Sequence, residues 1–195
     1  VTIDGKAYPL EDTNFPTIDP ADPYRLSAGE TLVMEKLRYA FVNSEKLRRH
    51  VAYLFTRGSM YRVCNGNLLY HGCVPLEEDG SFKKVQVGDK CYAGKELFDE
   101  LESWARKGYY LPDGEEKRFG QDLMWFMWAN ENSPLYGKER MTTFERYFVK
   151  DQSCYFEAKN SYYSYLNDDA VISHIMAEFG LDPDSPASHI INGHM

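Results

Sequence analysis

With 195 residues, 43% of them hydrophobic, the chain is long enough for one domain with a proper core, and it is neither disordered nor low in complexity. Its formal net charge of −8 argues against the broad basic face with which a protein grips nucleic-acid phosphates. The densest basic run, Lys46, Arg48, Arg49 and His50, falls inside a helical pattern and reads as a solvated helix face.

In chain order, Val1-Thr2-Ile3, Asp4-Gly5 and Lys6-Ala7-Tyr8 spell a β-hairpin. A proline-rich loop follows, with Pro9, Pro16, Pro20 and Pro23. Ser27 and Glu30 have capping-box spacing. Behind them Val33, Leu37, Ala40 and Phe41 share one helix face. Asn43 and Ser44 are cap candidates for a second helix carrying Leu47, Val51, Leu54 and Phe55, which stops at Gly58.

The period then shifts to strands. Ser59 to Cys64 and Asn67 to His71 flank Asn65-Gly66, the strongest short hairpin signal. Gly72 breaks the second strand, and Phe82 to Val87 predicts a third. Leu97, Leu101, Trp104 and Ala105 predict a helix; Leu123, Trp125, Phe126 and Trp128 predict a short buried one. Met141 to Val149 reads as helical, and Asp151 to Asn167 as a tyrosine-rich linker. A last helix carries Ile172, Ile175, Met176 and Phe179, and Ile190-Ile191 forms a closing strand. The class is mixed α and β. Four blocks result: a hairpin and helices over 1–58, a β-hairpin region over 59–87, a mainly helical insertion over 88–180, and the closing strand over 181–195.

Cys64, Cys73, Cys91 and Cys154 include no C-x-x-C pair, and no signal peptide or long apolar segment is visible. The expectation is a reduced, soluble, cytoplasmic protein. The chain opens inside a hairpin and stops directly after a strand pattern, where polar, loose ends are usual, so an excerpt of a longer protein is expected.

Two histidines share a setting. His71 ends an apolar strand before Gly72, and His194 ends one after Gly193. The glycine removes a side chain, which lets an ion approach, and a neutral imidazole ligates Mn, Zn or Fe. Alone, each histidine reads first as hydrogen-bonded structure at a strand end, which is the commoner use. His50 and His174 fall in helical patterns and read as structural or solvent-facing, while His189 is placed as a support for the site.

The local sequences add to this. Leu68-Leu69-Tyr70-His71-Gly72-Cys73-Val74-Pro75 resembles the strand-then-HGG-x-x-P segment of the dinuclear metallophosphatases, and Ile190-Ile191-Asn192-Gly193-His194 resembles their closing strand and GH motif. Asp122-Leu123-Met124-Trp125 is similar to the D-L-x-W segment of the Ser/Thr phosphatase branch. The longer stretches GSMYRVCNGNLLYHGCVPLEEDGSF, NSPLYGKERMTTFERYF and HIINGH resemble the class III fructose-1,6-bisphosphatases of Firmicutes and related gut bacteria, over nearly the whole chain.

That resemblance implies part of a calcineurin-like metallophosphatase β-sandwich with flanking helices and a helical insertion. It implies a gluconeogenic, Mn²⁺-using enzyme that removes the 1-phosphate of fructose 1,6-bisphosphate, with two ions activating a water. His71 and His194 become ligands of one ion. The family's G-D-x-H-G, G-D-x-x-D-R-G and G-N-H motifs, which carry the other ligands and the general-acid histidine, do not occur here. No catalytic residue is therefore assigned, and this stretch alone is expected to be inactive.

Arg146, Arg140 and Lys138 lie between the two histidine motifs and are the phosphate candidates, because a guanidinium grips phosphate through two parallel hydrogen bonds. For Arg146 the alternative is an exposed helix surface shared with Glu145. Tyr110, Tyr136, Tyr162, Tyr163 and Tyr165 are weaker candidates for a sugar site, since packing is the commoner use of tyrosine. The expected partner is a sugar bisphosphate, with neither nucleic acid nor membrane, and a homo-oligomer is left open. Two other readings stand: a metallophosphatase for a phosphoprotein or a dinucleotide, and a non-catalytic interaction module.

Overall fold

The computed structural model describes residues 1–193, which form two compact units. The first joins Val1–Gly58 to Thr143–Tyr155; the second joins Ser59–Thr142 to the chain from Phe156 onward. Both are mixed α and β, as the sequence predicts.

In the first unit, β1 (Thr2–Ile3) and β2 (Lys6–Ala7) pair antiparallel across Asp4 and Gly5, with φ of 50° and 78°. Positive φ at both central residues is what a two-residue hairpin turn of matching twist demands. α1 (Ala28–Val42) starts with the predicted capping box: Ser27 Oγ accepts the Glu30 N–H, and the Glu30 carboxylate accepts the Ser27 N–H at 2.7 Å. Ser44 caps α2 (Glu45–Arg57). Neither helix buries a single residue. The apolar stripe of α1 is present but open, with Val33 and Phe41 55% and 66% exposed. The small core of this unit is Tyr8, Val149 and Cys154. The predicted helix over 141–149 contracts to α5 (Thr143–Phe148).

The second unit holds a three-stranded sheet ordered β3-β4-β7. β3 (Tyr61–Cys64) and β4 (Asn67–Tyr70) are antiparallel around Asn65-Gly66, again with both φ values positive. β7 (His189–Asn192) runs parallel to β4. A separate hairpin joins β5 (Val85–Val87) to β6 (Lys90–Tyr92), so the strand predicted from Phe82 begins later. The buried face of the larger sheet meets α3 (Gly94–Tyr110) and α6 (Asp169–Glu178) through an aromatic cluster. There Phe179 stands edge-on to Phe98 and Tyr61, with centroids 5.3 and 4.9 Å away.

α4 (Glu115–Ala129) corrects the expected short buried helix: it has 15 residues, and Leu123 and Met127 are buried while Trp125 and Trp128 are mostly exposed. The tyrosine-rich linker is also more ordered than expected. Two short 3₁₀ turns, Gln152–Tyr155 in the first unit and Ser161–Ser164 in the second, run through it, and Tyr162 is fully buried. No described helix is long and apolar enough to cross a membrane. All four cysteines are free thiols.

α3 and α4 touch backbone to backbone where Gly108 meets Gly120. A Cβ on Gly120 would lie 2.4 Å from the Trp104 carbonyl oxygen and 2.6 Å from the Gly108 nitrogen. Overpacking of this kind costs about 1–3 kcal/mol, and here both obstacles are backbone. Gly120→Ala is therefore expected to lose about 2 kcal/mol net, despite the better helix propensity of alanine. Gly29→Ala, with no atom within 4 Å of the added carbon, should be neutral or stabilising. Urea midpoints of the two variants compare these directly, and a Gly120→Ala midpoint at or above the wild type would refute the close-crossing account.

Candidate functional site

The two strands that carry the histidine motifs lie side by side. Asn67 to Tyr70 pair in order with His189 to Asn192, and because the pairing is parallel both strands end at the same sheet edge. The ladder runs on past the strands: the Gly193 N–H donates to the His71 carbonyl at 3.0 Å, and Asn192 Nδ2 donates to the Gly72 carbonyl at 2.8 Å. His71 and Gly193 are thus opposite one another, across a sequence separation of more than a hundred residues. His71 is exposed, and a Cβ on Gly193 would sit 3.7 Å from its carbonyl oxygen. His194 lies outside the described residues, so the separation of the two rings is not stated.

The turn after His71 is held from beneath. A Cβ on Gly72 would lie 2.3 Å from the Pro134 carbonyl oxygen, so only glycine fits. The same carbonyl accepts the Cys73 N–H at 2.9 Å. Pro134 is placed in turn by buried Ser133, whose hydroxyl donates to the Met127 carbonyl at 2.6 Å and accepts the Leu135 N–H at 3.1 Å. Cys73 is fully buried, and burial pushes its thiol up to about 12. It stays protonated at neutral pH and is a packing residue, since metal ligation needs the thiolate.

Among the described residues no three His, Cys, Asp or Glu side chains come together in a way that could hold a metal ion. What is present is one exposed imidazole at a strand end, with Gly193 beside it in register. That arrangement fits a partial ligand set for a metal.

The remaining sequence candidates are dispersed. Lys138 forms an ion pair with Glu157 at 3.1 Å, both about one-fifth exposed. Arg140 pairs with Glu139 at 2.8 Å. Arg146 belongs to the other unit, where its Nη2 donates to the Tyr155 carbonyl at 3.2 Å and its guanidinium lies 5.3 Å from the Tyr155 ring centroid. Asp122 of the D-L-x-W segment is exposed on α4, and Leu123 packs into the core. His189 corrects the expectation made for it. It opens β7 opposite Asn67, at the far end of the strand from Gly193, with Nδ1 3.1 Å from the Ala187 carbonyl. His50 and His174 are exposed, the latter against Phe82 at 4.5 Å.

Of the tyrosines, Tyr162 is core, its hydroxyl 2.6 Å from that of Tyr70. Tyr165 donates to the Glu78 carbonyl, and Tyr136 is buried. Tyr163 lines an open groove together with Asn192 and Gly193. Lys159 lines it too, and sequence reasoning passed over it because no motif contains it.

The whole chain, residues 1–195, matches the family described as Firmicute fructose-1,6-bisphosphatase. Curated relatives include the fructose-1,6-bisphosphatase class 3 proteins of Clostridium acetobutylicum, 51% identical, and Clostridium novyi (strain NT), 50% identical, each aligned over all of this chain and 29% of the relative. That of Bacteroides fragilis is 50% identical over 98% of this chain and 29% of its own length. The chain therefore spans less than a third of the length of these relatives. No solved structure matches it.

Glu157 supplies a pH test of the scaffold beside the groove. The Thr142 N–H first, then its hydroxyl and the Lys138 ammonium, hold its carboxyl down at about 2. A depressed carboxylate contributes stability above its unfolded value near 4.5, and that stability is lost as pH falls towards 2. With partial solvent screening the effect is about 1–2 kcal/mol. Between pH 5 and pH 2, unfolding free energy should fall by about that much less in Glu157→Gln than in the wild type. Parallel curves for the two proteins would refute this assignment.

Proposed function

The chain belongs to the Firmicute fructose-1,6-bisphosphatase family, and from that membership we propose that it forms part of a metal-dependent phosphatase that converts fructose 1,6-bisphosphate and water to fructose 6-phosphate and phosphate. The observation that carries the reading is the parallel registration of β4 and β7, which sets His71 and Gly193 opposite one another at one sheet edge. Within this reading the three-stranded sheet is a portion of a metallophosphatase sandwich, and the enzyme works in the cytoplasm in gluconeogenesis.

His71 and His194 would hold one Mn²⁺ of a dinuclear site, with the remaining ligands contributed by residues outside this chain. A bound ion pair supplies an activated water and a clamp on the phosphoryl oxygens. The chain's own residues do the rest of what this stretch offers. β4 anchors the backbone from which His71 extends, because the strand is paired on both sides. Gly72 lets the turn after His71 sit against the Pro134 carbonyl. The protonated Cys73 thiol stays out of the ligand set.

Arg146, Arg140 and Lys138 remain the proposed phosphate contacts. For Lys138 and Arg140, engagement means exchanging the carboxylates of Glu157 and Glu139 for phosphate oxygens.

In the complete enzyme, His71→Ala should lower Mn²⁺-dependent phosphate release from fructose 1,6-bisphosphate about a hundredfold or more. Loss of a group that merely supports a metal ligand costs about 10–100-fold, and a direct ligand costs at least as much. Phosphate release at matched Mn²⁺ is the measurement; wild-type turnover in the variant would end the assignment.

A further inference from the structure

In the second unit two openings meet at Lys159 and Asn160, and their charges differ. One, of about 540 Å³, is bordered by five carboxylates, of Glu77, Glu78, Asp79, Glu131 and Glu139, against two ammonium groups, of Lys83 and Lys159. That wall repels a bisphosphate. The other, of about 730 Å³, runs up to Asn192 and Gly193 and is lined by Phe156, Lys159, Asn160 and Tyr163. Its volume lies in the range of small-molecule sites.

Glu157 also borders this second groove, but its charge is spent. One carboxylate oxygen accepts from the Thr142 N–H and hydroxyl, at 3.0 and 2.8 Å, and the other from Lys138 Nζ at 3.1 Å. Lys159 is different. Its ammonium lies 5.2 Å from the centroid of the Tyr163 ring, and among the described residues it makes no ion pair. Within this groove's lining Lys159 is the cation without a carboxylate in ion-pair contact, and it also borders the acidic opening. Asn160 Oδ1 is occupied by the Leu76 and Tyr162 N–H groups, each at 3.0 Å, which leaves the Nδ2 hydrogens to donate. Asn192 has the opposite bias: Nδ2 is committed to Gly72, and Oδ1 is left to accept. Burial raises the Tyr163 phenol to about 12, so it remains a donor at neutral pH. Phe156, 75% exposed, offers a flat apolar face.

A cation, an amide donor, an amide acceptor and two aromatic faces in one groove match a polyhydroxylated ring bearing a phosphate. We propose that this groove seats the sugar ring and the non-reacting phosphate of the substrate, with Lys159 as the phosphate anchor and Asn160, Tyr163 and Asn192 around the ring. The groove shares Asn192 and Gly193 with the paired strand ends, so a sugar lying in it has its other phosphate directed along that edge. The proposal rests on the phosphatase reading and adds to it the residues that would select a bisphosphate over a simple phosphate ester.

The test uses the full-length enzyme with fructose 1,6-bisphosphate and with phenyl phosphate, which has one phosphate and no sugar. In Lys159→Gln the ratio of kcat/KM for the bisphosphate to that for phenyl phosphate should fall about tenfold, and Lys159→Arg should restore most of it. An unchanged ratio in Lys159→Gln overturns the proposal. If the wild-type enzyme hydrolyses neither ester, the phosphatase reading has failed by itself, and binding decides the groove. Calorimetry of fructose 6-phosphate with the metal-free full-length protein should then show binding about tenfold weaker in Lys159→Gln; equal binding, or none to the wild type, overturns the proposal.

Discussion

Everything that gives this chain a candidate site depends on the pairing of β4 with β7. Four residues on each side pair in register, and two further hydrogen bonds, from Gly193 to His71 and from Asn192 to Gly72, extend the ladder to the strand ends. Closing a loop of this length, with partners 120 residues apart, costs about 4 kcal/mol of chain entropy beyond the constant term. The hydrogen bonds of the ladder, at about 1 kcal/mol each, offset that cost in part. The buried side chains of β4, Leu68 and Tyr70, then make the pairing firm by tying the sheet to the aromatic core. A parallel register has a further consequence that an antiparallel one lacks: two strand C-termini meet, so residues that follow each strand become neighbours.

The helical insertion acts on the same place from below. The last turn of α4 carries Met127, whose carbonyl takes the Ser133 hydroxyl, and the Ser133–Pro134 segment then supports Gly72 and Cys73 through one carbonyl oxygen. That oxygen is close enough to exclude any side chain at position 72. The D-L-x-W segment therefore contributes through Leu123 and the packing of α4, while Asp122 faces solvent. A long stretch of sequence without a catalytic group works as the bed on which a histidine-bearing strand end rests.

Local chemistry was readable and long-range pairing was not. Asn65-Gly66 and Asp4-Gly5 announced two hairpins because only positive φ at both positions closes such turns. Ser27, Glu30 and Ser44 announced two helix starts because they satisfy otherwise orphaned N–H groups. Periodicity identified the apolar stripe of α1 but says nothing of what covers it, and α1 buries no residue. It also placed Trp125 and Trp128 in a core that in fact takes Leu123 and Met127, since an aromatic cluster on a helix does not reveal which arc faces inward. The histidine motifs were legible as strings. That their strands pair in parallel, and that His189 opens the strand whose far end carries Gly193, required the register.

The cations show why motif proximity is a weaker guide than charge balance. Lys138 and Arg140 lie in the family-like stretch, yet each already faces a carboxylate, from Glu157 and Glu139. Lys159 lies in no motif, stands over the Tyr163 ring and, among the described residues, forms no ion pair. A phosphate arriving in the groove beside Gly193 meets a neutral Lys138–Glu157 pair and one cation held over an aromatic face. Ordering that cation costs less than ordering a free lysine, because the ring already restricts it. The depressed Glu157 carboxyl keeps the neighbouring pair intact across the neutral range, so the groove's net charge there is set by Lys159 alone. The acidic wall of the adjoining opening sharpens the contrast, since the same anion gains on one side of Lys159 and loses on the other.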